Sequence, residues 1–461
     1  MKILMCASEM VPFAKTGGLA DVLGALPLAL EKLGLEVRVA MPKYKIVASR
    51  QSPVASLSND IDVAKIGKNI QVYLIKNDKF FNRDGLYGDE HGDYPDNLER
   101  FSFYCKRALG LLKEINFKPD VIHCHDWQAA LIPLYLKNMD SKDNFYKGIK
   151  TLFSLHNLAY QGVFNKEEYP KLGLDWPLFA IDGLEFYGKV NLLKGGLLFS
   201  DLLNTVSATY AEEIQTKEFG CGLEGILSKR RNELSGILNG LDYEYWDPAK
   251  DAYIYKPYSL QSLEGKSLNK RMLQKECALA VRGDIPLLGM VSRLSQQKGL
   301  DLLASSIEAM LKHTRIQIII LGQGEAKYQK LLVALRKKYP ENISVHIGFN
   351  EPLAHKIYAA CDIFLMPSHY EPCGLGQMIA LKYGAIPLVF KTGGLRDTVC
   401  RENGFVFDRF TVKDFVETVK DAIGAYQNKD KWMKLVRKAF TYNFSWEKSA
   451  KEYIELYKKL Y

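Results

Sequence analysis

The sequence lacks the features that mark secreted, membrane-spanning and zinc-binding proteins. Its eight cysteines are scattered without a C-x-x-C pair, so neither a zinc site nor a redox dithiol is indicated. The first apolar run, Ile3 to Cys6, is shorter than the ~7–15 residues of a signal-peptide core. No run approaches the ~18 apolar residues of a membrane span. We therefore expect a cytoplasmic protein with reduced thiols and no membrane partner.

A nucleic-acid partner is also not indicated. The net charge is +9 over 461 residues, from 62 basic and 53 acidic side chains, and the basic residues form no dense stripe. This balance suits a solvated surface or an anionic small ligand. Hydrophobic residues make up 47% of the chain, which is ordinary for a folded globular protein.

One seven-residue segment occurs twice. Lys15–Asp21 reads KTGGLAD and Lys391–Asp397 reads KTGGLRD, identical in six of seven positions. The first copy lies between an apolar strand and an amphipathic helix that Gly34 ends. Its glycines would let backbone N–H groups approach an anion, with Lys15 adding charge, although a simple strand–helix turn explains it equally well. The order differs from a Walker A loop, because the lysine precedes the glycines.

Short apolar strands alternate with helical segments in both halves, which predicts an α/β protein with mostly parallel sheets. We predict two Rossmann-like doubly wound domains facing a cleft, an N-terminal one over 1–240 and a C-terminal one over 241–445. A final helix over 446–461 presents an apolar face, possibly packing back on the first domain. Arg100–Leu112 and Gln128–Leu136 read as helices, and Asn157–Leu193 as long loops with short helices.

The second half carries the clearest charged motifs. Arg293 and Lys298 follow its first strand, and two cations without a nearby carboxylate run suit a diphosphate, although such a pair is often only surface charge. Glu371, held beside Pro372, is a fixed acceptor for sugar hydroxyls or a solvated loop acid. Gly322-x-Gly324 is not a dinucleotide fingerprint, because Lys327 replaces its third glycine.

Two patterns suggest a metal site, but neither supplies a full set of ligands. His123-x-His125 supplies only two ligands on one strand face, and Asp60-x-Asp62 lies in a polar segment that a surface location explains. We expect no metal.

Ordered motifs along nearly the whole chain resemble one family. They include SEMVPFAKTGGLADVLGALP, HCHDWQAAL, HNLAYQG, VSRLSQQKGLDLL, PSHYEPCGLGQ and KTGGLRDTV. These motifs are similar to those of bacterial glycogen synthases and plant starch synthases, which are retaining glucosyltransferases of the two-domain GT-B architecture.

The resemblance implies transfer of glucose from ADP-glucose to the non-reducing end of an α-1,4-glucan, glycogen or starch, with retention of configuration and without a cofactor or metal. Front-face attack, with the leaving phosphate accepting the acceptor proton, is favoured over a covalent intermediate. The alternatives are a transferase that uses UDP-glucose and a catalytically weakened glucan-binding or scaffold protein. The oligomeric state is left open.

The resemblance also implies roles for individual residues. The catalytic set is Lys15, Asp126, His156, Arg293, Lys298 and Glu371. The donor would be bound by Lys15, Gly17, Gly18, Asp21, Asn239, Arg293, Lys298, Gly348, Phe349, Ser368, Glu371, Cys373, Gly374, Leu375 and Gly376. The acceptor would be bound by Glu9, Tyr87, Asp126, Trp127 and His156.

Two positions depart from the family pattern. Gly376 stands where the family usually has a hydroxyl or larger residue, so a side-chain contact to phosphate from that position is lost. Ile379 stands where related enzymes often have a second glutamate, so the ribose must be held otherwise.

Overall fold

The computed structural model describes residues 1–48, 55–141 and 143–461, and the chain divides into two compact units. Unit 1 is Met1–Gly240 together with Trp446–Tyr461, and unit 2 is Leu241–Ser445. Within the described ranges, none of the helices has the length and apolar character that a membrane crossing requires.

Unit 1 is built from alternating strands and helices. Its strands are β1 (Lys2–Cys6), β2 (Glu36–Pro42), β3 (Ala55–Ser58), β4 (Ile61–Ile66), β5 (Ile70–Ile75), β6 (Gly88–Asp89), β7 (Gly92–Asp93), β8 (Val121–His125), β9 (Lys150–Leu155), β10 (Val163–Asn165), β11 (Glu185–Phe186), β12 (Lys189–Asn191), β13 (Leu202–Thr205) and β14 (Leu234–Gly236). Its first nine α-helices are α1 (Gly18–Lys32), α2 (Lys45–Ala48), α3 (Asp78–Phe81), α4 (Asn97–Glu114), α5 (Asp126–Ala129), α6 (Ile132–Asp140), α7 (Leu192–Phe199), α8 (Ala208–Glu213) and α9 (Glu224–Lys229), with 3-10 helices over Lys166–Leu172 and Trp176–Leu178.

The main sheet of unit 1 has nine strands in the order β14-β13-β9-β8-β1-β2-β5-β4-β3. Pairing is parallel from β14 to β5, and only β4 and β3 add antiparallel strands at one edge. All five residues of β8 are buried, as expected for a central parallel strand covered on both faces. Because the chain leaves β1 toward β2 and later returns to β8 on the other side, the crevice for a ligand lies at the ends of β1 and β8.

Unit 2 has a six-stranded, entirely parallel sheet in the order β17-β16-β15-β18-β19-β20. Here the order of the strands reverses: β16 and β17 lie on one side of β15, and β18 to β20 lie on the other. The elements are α10 (Glu264–Glu276), β15 (Leu287–Leu294), α11 (Leu300–His313), β16 (Gln317–Gly324), α12 (Ala326–Lys338), β17 (Ile343–Ile347), α13 (Glu351–Ala360), β18 (Ile363–Met366), α14 (Gly376–Lys382), β19 (Ile386–Phe390), α15 (Gly393–Thr398), β20 (Phe405–Phe407), α16 (Val412–Gln427) and α17 (Lys429–Ala439), with a 3-10 turn over Gln296–Lys298.

The last helix, α18 (Trp446–Lys458), packs against α1 within unit 1. Tyr453 and Tyr457 lie one turn apart on its buried face. The Asn204 amide donates a hydrogen bond to the Tyr453 hydroxyl at 3.0 Å, and the Tyr457 hydroxyl lies 2.8 Å from His123 Nδ1. The helix is therefore fixed by polar contacts to β8 and β13 as well as by apolar packing.

The predicted α/β class with two doubly wound sheets is confirmed, and three local expectations need correction. The helix expected over Gln128–Leu136 is interrupted between α5 and α6, because Pro133 at the start of α6 has no N–H to continue an earlier helix. Asn157–Leu193 contains the expected short helices, and in addition β10, β12 and β11 form a small antiparallel sheet. Strands of two or three residues are too short to show an alternating pattern.

The third correction concerns Asp60 and Asp62, for which a surface location was expected. Asp62 is buried and bonds to Lys43 at 2.5 Å and Lys76 at 2.6 Å, whereas Asp60 bonds to Arg107 at 2.5 Å. Their carboxylates are thus occupied by cations of the protein.

The contact between α18 and β8 can be tested with Tyr457→Phe. The variant leaves His123 Nδ1 buried without its partner, and we expect unfolding free energy to fall by about 1–3 kcal/mol. Denaturant unfolding would measure the loss, and faster hydrogen exchange in peptides of β8 would locate it. Tyr461→Phe is the matched control: its hydroxyl donates to the Asp120 carbonyl at 2.7 Å, but the side chain is 69% exposed, so water can replace the bond. Equal effects of the two variants would contradict the assignment.

Candidate active site

In unit 1 the loop after β1 carries the first glycine segment, and its amides are already bonded. The Glu9 carboxylate accepts the N–H of Thr16 at 2.5 Å and of Gly17 at 3.1 Å, together with the Thr16 hydroxyl at 2.6 Å. The expectation that the glycine N–H groups are open to an external anion is therefore wrong for Gly17. The Lys15 ammonium bonds to Asp21 at 2.6 Å.

The two copies of the glycine segment have different surroundings. A Cβ built on Gly17 or Gly18 would meet no atom within 4 Å, so the first turn borders open space. A Cβ on Gly393 would lie 2.1 Å from the Glu371 carbonyl oxygen, and one on Gly394 would lie 2.0 Å from that of Cys373. The second pair of glycines is thus required by close backbone packing.

The predicted acceptor residues come together beside this turn. The Tyr87 hydroxyl donates to Glu9 at 2.6 Å, and the ring centroids of Tyr87 and Trp127 are 6.5 Å apart. Gly162, with φ +63°, fits against the indole of Trp127, where an added Cβ would come within 2.4 Å of the ring. Glu9 therefore links the glycine turn to an aromatic wall.

Asp126 lies where β8 ends and α5 begins, in a left-handed conformation with φ 55°. Such a conformation is costly for a residue with a side chain and is common at functional sites. Its carboxylate accepts the backbone N–H of His156 at 2.7 Å. Burial and, to a smaller extent, the nearby Glu9 charge raise the pKa of Asp126 to about 7, against the opposing effect of the His156 N–H.

His123, His125 and His156 form a chain next to Asp126, and the first two are fully buried. His123 Nε2 lies 2.7 Å from the Ser154 hydroxyl, the rings of His123 and His125 are 4.0 Å apart, and His125 Nδ1 lies 3.1 Å from His156 Nε2. Burial lowers the pKa of His156 to about 4 and lowers the pKa values of His123 and His125 well below the usual range. All three are neutral at physiological pH. Across the described part of the chain, no group of three potential metal ligands occurs.

In unit 2 a cavity of about 200 Å³ opens where β15 and β18 end. Seven of the predicted residues line it: Arg293, Lys298, Ser368, Glu371, Gly374, Leu375 and Gly376. The departure Ile379 lines it as well, so apolar surface replaces the expected glutamate.

Charge in this cavity is only partly balanced by the protein. The Lys298 ammonium pairs with the Glu371 carboxylate at 2.5 Å, and Glu371 also accepts the Ser368 hydroxyl at 2.9 Å. No carboxylate run lies near the two cations in the sequence, but the loop after β18 returns to the loop after β15 and brings Glu371 to Lys298. Arg293 is exposed and has no ion-pair partner among the described residues.

Other predicted donor residues lie outside the cavity lining. Gly348 and Phe349 follow β17, and the Phe349 ring is 83% exposed. Cys373 is buried, with its carbonyl accepting the Gln377 amide at 3.1 Å. Asn239 belongs to unit 1 and is buried.

Sequence reasoning missed Tyr358 and Ser292, which also line the cavity. Tyr358 belongs to α13, whose periodicity marks it as a core residue, and no motif signals its hydroxyl. Ser292 stands beside Arg293 in a quoted motif, but a serine at a strand end carries no signal of its own.

The elevated pKa of Asp126 predicts a pH-dependent stability. Between about pH 4 and pH 7 the folded chain holds a proton on this carboxyl that the unfolded chain has released, so the stability of the folded state falls as pH rises through this window. We expect the wild type to lose stability relative to Asp126→Asn from about pH 4 to pH 7 and to show a constant difference above it. Urea unfolding of both proteins across this range measures the effect. A stability difference between the two proteins that stays constant from pH 4 to pH 7 would contradict the raised pKa of Asp126.

Comparison with known proteins supports the motif assignments. A family model described as the starch synthase catalytic domain matches residues 2–229, and one described as glycosyl transferases group 1 matches residues 276–439. The glycogen synthase of Geotalea uraniireducens (strain Rf4) is 51% identical over 477 residues, covering 99% of this chain and 98% of the relative. The glycogen synthase of Moorella thermoacetica is 46% identical, covering 100% and 96%.

Solved structures agree with these relatives. The catalytic domain of starch synthase IV from Arabidopsis thaliana, bound to ADP and acarbose, is 34% identical with a TM-score of 0.90, covering 100% of this chain and 99% of that one. Sucrose-phosphate synthase from Thermosynechococcus elongatus, 15% identical with a TM-score of 0.64, shares the fold. The resemblance stated from the motifs is confirmed: the chain belongs to the glycogen synthase and starch synthase family of GT-B glycosyltransferases.

Proposed function

We propose that this glycosyltransferase takes glucose from ADP-glucose and adds it, with retention, to the non-reducing end of an α-1,4-glucan. The observation that carries the donor assignment is the unit 2 cavity, which combines the unpaired Arg293, the Lys298–Glu371 pair and the glycines of the loop after β18. A nucleoside diphosphate sugar offers both the anion and the hydroxyl groups that these residues bind.

The charges of the cavity suit the separation of a diphosphate leaving group. Arg293 and Lys298 would stabilise the negative charge that develops as the bond between glucose C1 and the phosphate oxygen breaks. In the structure Glu371 pairs with Lys298. On donor binding, the flexible lysine would turn to the phosphate and leave the carboxylate to accept sugar hydroxyls. The basic side chains would thus take the role that a divalent cation has in other transferases.

The base of the donor has a candidate platform in Phe349. Its ring is exposed at the end of β17, beside Gly348, whose φ of +131° favours glycine. An exposed aromatic ring gains stability when a flat base stacks on it. The larger purine covers more of the ring than a pyrimidine, which favours ADP-glucose over UDP-glucose.

Unit 1 offers features of a sugar-binding surface. Tyr87 and Trp127 supply aromatic faces, and Glu9 and Asp126 supply acceptors for sugar hydroxyls. We propose that they bind the glucan together with His156, whose main-chain carbonyl would lie near the anomeric carbon. The starch synthase IV structure holds both ADP and acarbose, which supports a nucleotide and an oligosaccharide as the ligand classes of this family. The donor roles of Lys15, Asp21 and Asn239 stay predictions.

The donor assignment predicts a preference in kcat/KM. With glycogen as acceptor, we expect ADP-glucose to be used at least about tenfold more efficiently than UDP-glucose, because of the stacking difference on Phe349. Phe349→Ser, which removes the platform, should narrow this ratio. A preference for UDP-glucose would overturn the donor assignment, and binding of glycogen without turnover of either donor would favour the scaffold alternative.

The role of Glu371 predicts a loss of turnover that exceeds any loss of stability. Glu371→Gln keeps an oxygen for Lys298, so the fold should tolerate it, whereas the carboxylate that grips the sugar is lost. We expect kcat to fall by at least about 100-fold. Ser368→Ala is the matched control: it removes the 2.9 Å bond to the same carboxylate and keeps the charge, so its effect should stay below about tenfold. Unchanged turnover of Glu371→Gln would remove Glu371 from the catalytic set.

A further inference from the structure

Tyr358 is a buried residue whose hydroxyl has no hydrogen-bond partner in the described part of the chain. Its side chain is 4% exposed, packs at 4.7 Å between ring centroids on Phe364, and lines the unit 2 cavity. No described residue forms a hydrogen bond with its hydroxyl, and burial raises its pKa, so it is a protonated donor at physiological pH. The residue is therefore buried as a whole while its hydroxyl borders the cavity, where a ligand can accept its hydrogen bond.

Gly376 leaves this hydroxyl open to the cavity. A Cβ at position 376 would lie 3.3 Å from the Tyr358 hydroxyl oxygen, 3.2 Å from Met366 Sδ and 3.0 Å from Phe364 Cε1. These distances are tighter than ordinary contacts, so a side chain there would crowd the tyrosine. The cavity thus reaches the Tyr358 hydroxyl because position 376 has no side chain.

The same cavity holds a second hydroxyl without an acceptor. Ser292 Oγ is fully buried and has no hydrogen-bond partner among the described residues. Arg293, next to it, adds an unpaired positive charge. Two hydroxyl donors and a cation around one space call for a ligand rich in acceptor oxygens and negative charge, which a diphosphate group provides.

We propose that the Tyr358 hydroxyl donates a hydrogen bond to a diphosphate oxygen of the nucleotide sugar, through the space that Gly376 leaves open. Tyr358 is then a donor-binding residue, and it supplies the hydroxyl that position 376 lacks. The inference rests on the proposed function in that it takes a nucleoside diphosphate sugar as the occupant of this cavity.

The experiment compares ADP binding by calorimetry in the full chain and in Tyr358→Phe. We expect the variant to raise the Kd for ADP about tenfold to hundredfold, the effect of one hydrogen bond to a charged oxygen. Because no protein bond is lost, its melting temperature without ADP should not fall. Tyr328→Phe is the control, since that hydroxyl bonds to Asp301 at 2.7 Å outside the cavity. It should lower the melting temperature and leave the Kd for ADP unchanged.

Position 376 gives a second and independent arm. Gly376→Ala alone should weaken ADP binding by crowding the Tyr358 hydroxyl, and should have little further effect once Tyr358 is phenylalanine. Gly376→Ser in the Tyr358→Phe background should recover part of the lost affinity, whereas Gly376→Ala in that background should not.

The outcomes separate this inference from the proposed function. If the wild type binds ADP and Tyr358→Phe binds it equally well, Tyr358 is not a donor-binding residue, while the proposed donor stands. Equal affinities of the serine and alanine double variants would also overturn it, because the hydroxyl would then be irrelevant. If the wild type itself fails to bind ADP, the proposed donor is wrong, and the role of Tyr358 is wrong with it.

Discussion

A parallel sheet brings the carboxyl ends of all its strands to one edge, and the site in each unit depends on this constraint. In unit 2, β15 and β18 are neighbours although β16 and β17 separate them in the chain. The loops that follow them therefore meet, and Lys298 forms its 2.5 Å ion pair with Glu371. Each of these largely buried charges would be costly alone, since an unpaired ion in the interior lacks compensation. The order of the strands in the sheet thus determines which charged side chains meet in the cavity.

The sequence predicts those parts of the fold that local patterns determine. The strands Ile363–Met366 and Ile386–Phe390 are short apolar runs because they lie inside the sheet and are largely buried, and such runs predict a parallel α/β fold. The resemblance to the family likewise assigned Arg293, Lys298 and Glu371 to one site. The sequence does not reveal which side chains form hydrogen bonds or ion pairs with one another. Glu9 bonds to the turn at Thr16 only because the loop after β1 folds back on itself, and that geometry is set by tertiary packing.

The repeated segment shows how far surroundings outweigh local sequence. Gly17 and Gly18 stand beside open space, although the Gly17 N–H is already bonded to Glu9. Gly393 and Gly394 are pressed against the carbonyls of the loop that carries Glu371, so there the same absence permits close packing and fixes that loop. The missing Cβ thus leaves open space beside the first segment, and it permits the close backbone packing of the second.

The two units also differ in how they satisfy buried polar groups. His123 in unit 1 has both ring nitrogens within hydrogen-bond distance of hydroxyls, those of Tyr457 and Ser154, so α18 completes a network that ends near Asp126. In the unit 2 cavity, the Tyr358 and Ser292 hydroxyls have no hydrogen-bond partner among the described residues, and Ser292 Oγ is fully buried. The unmade bond of Ser292 costs about 1–3 kcal/mol, and a fold gains nothing from that cost unless a ligand removes it. A buried donor that shares a cavity with Tyr358, and with an arginine that has no ion-pair partner in the described part of the chain, is therefore better explained by ligand binding than by imperfect packing.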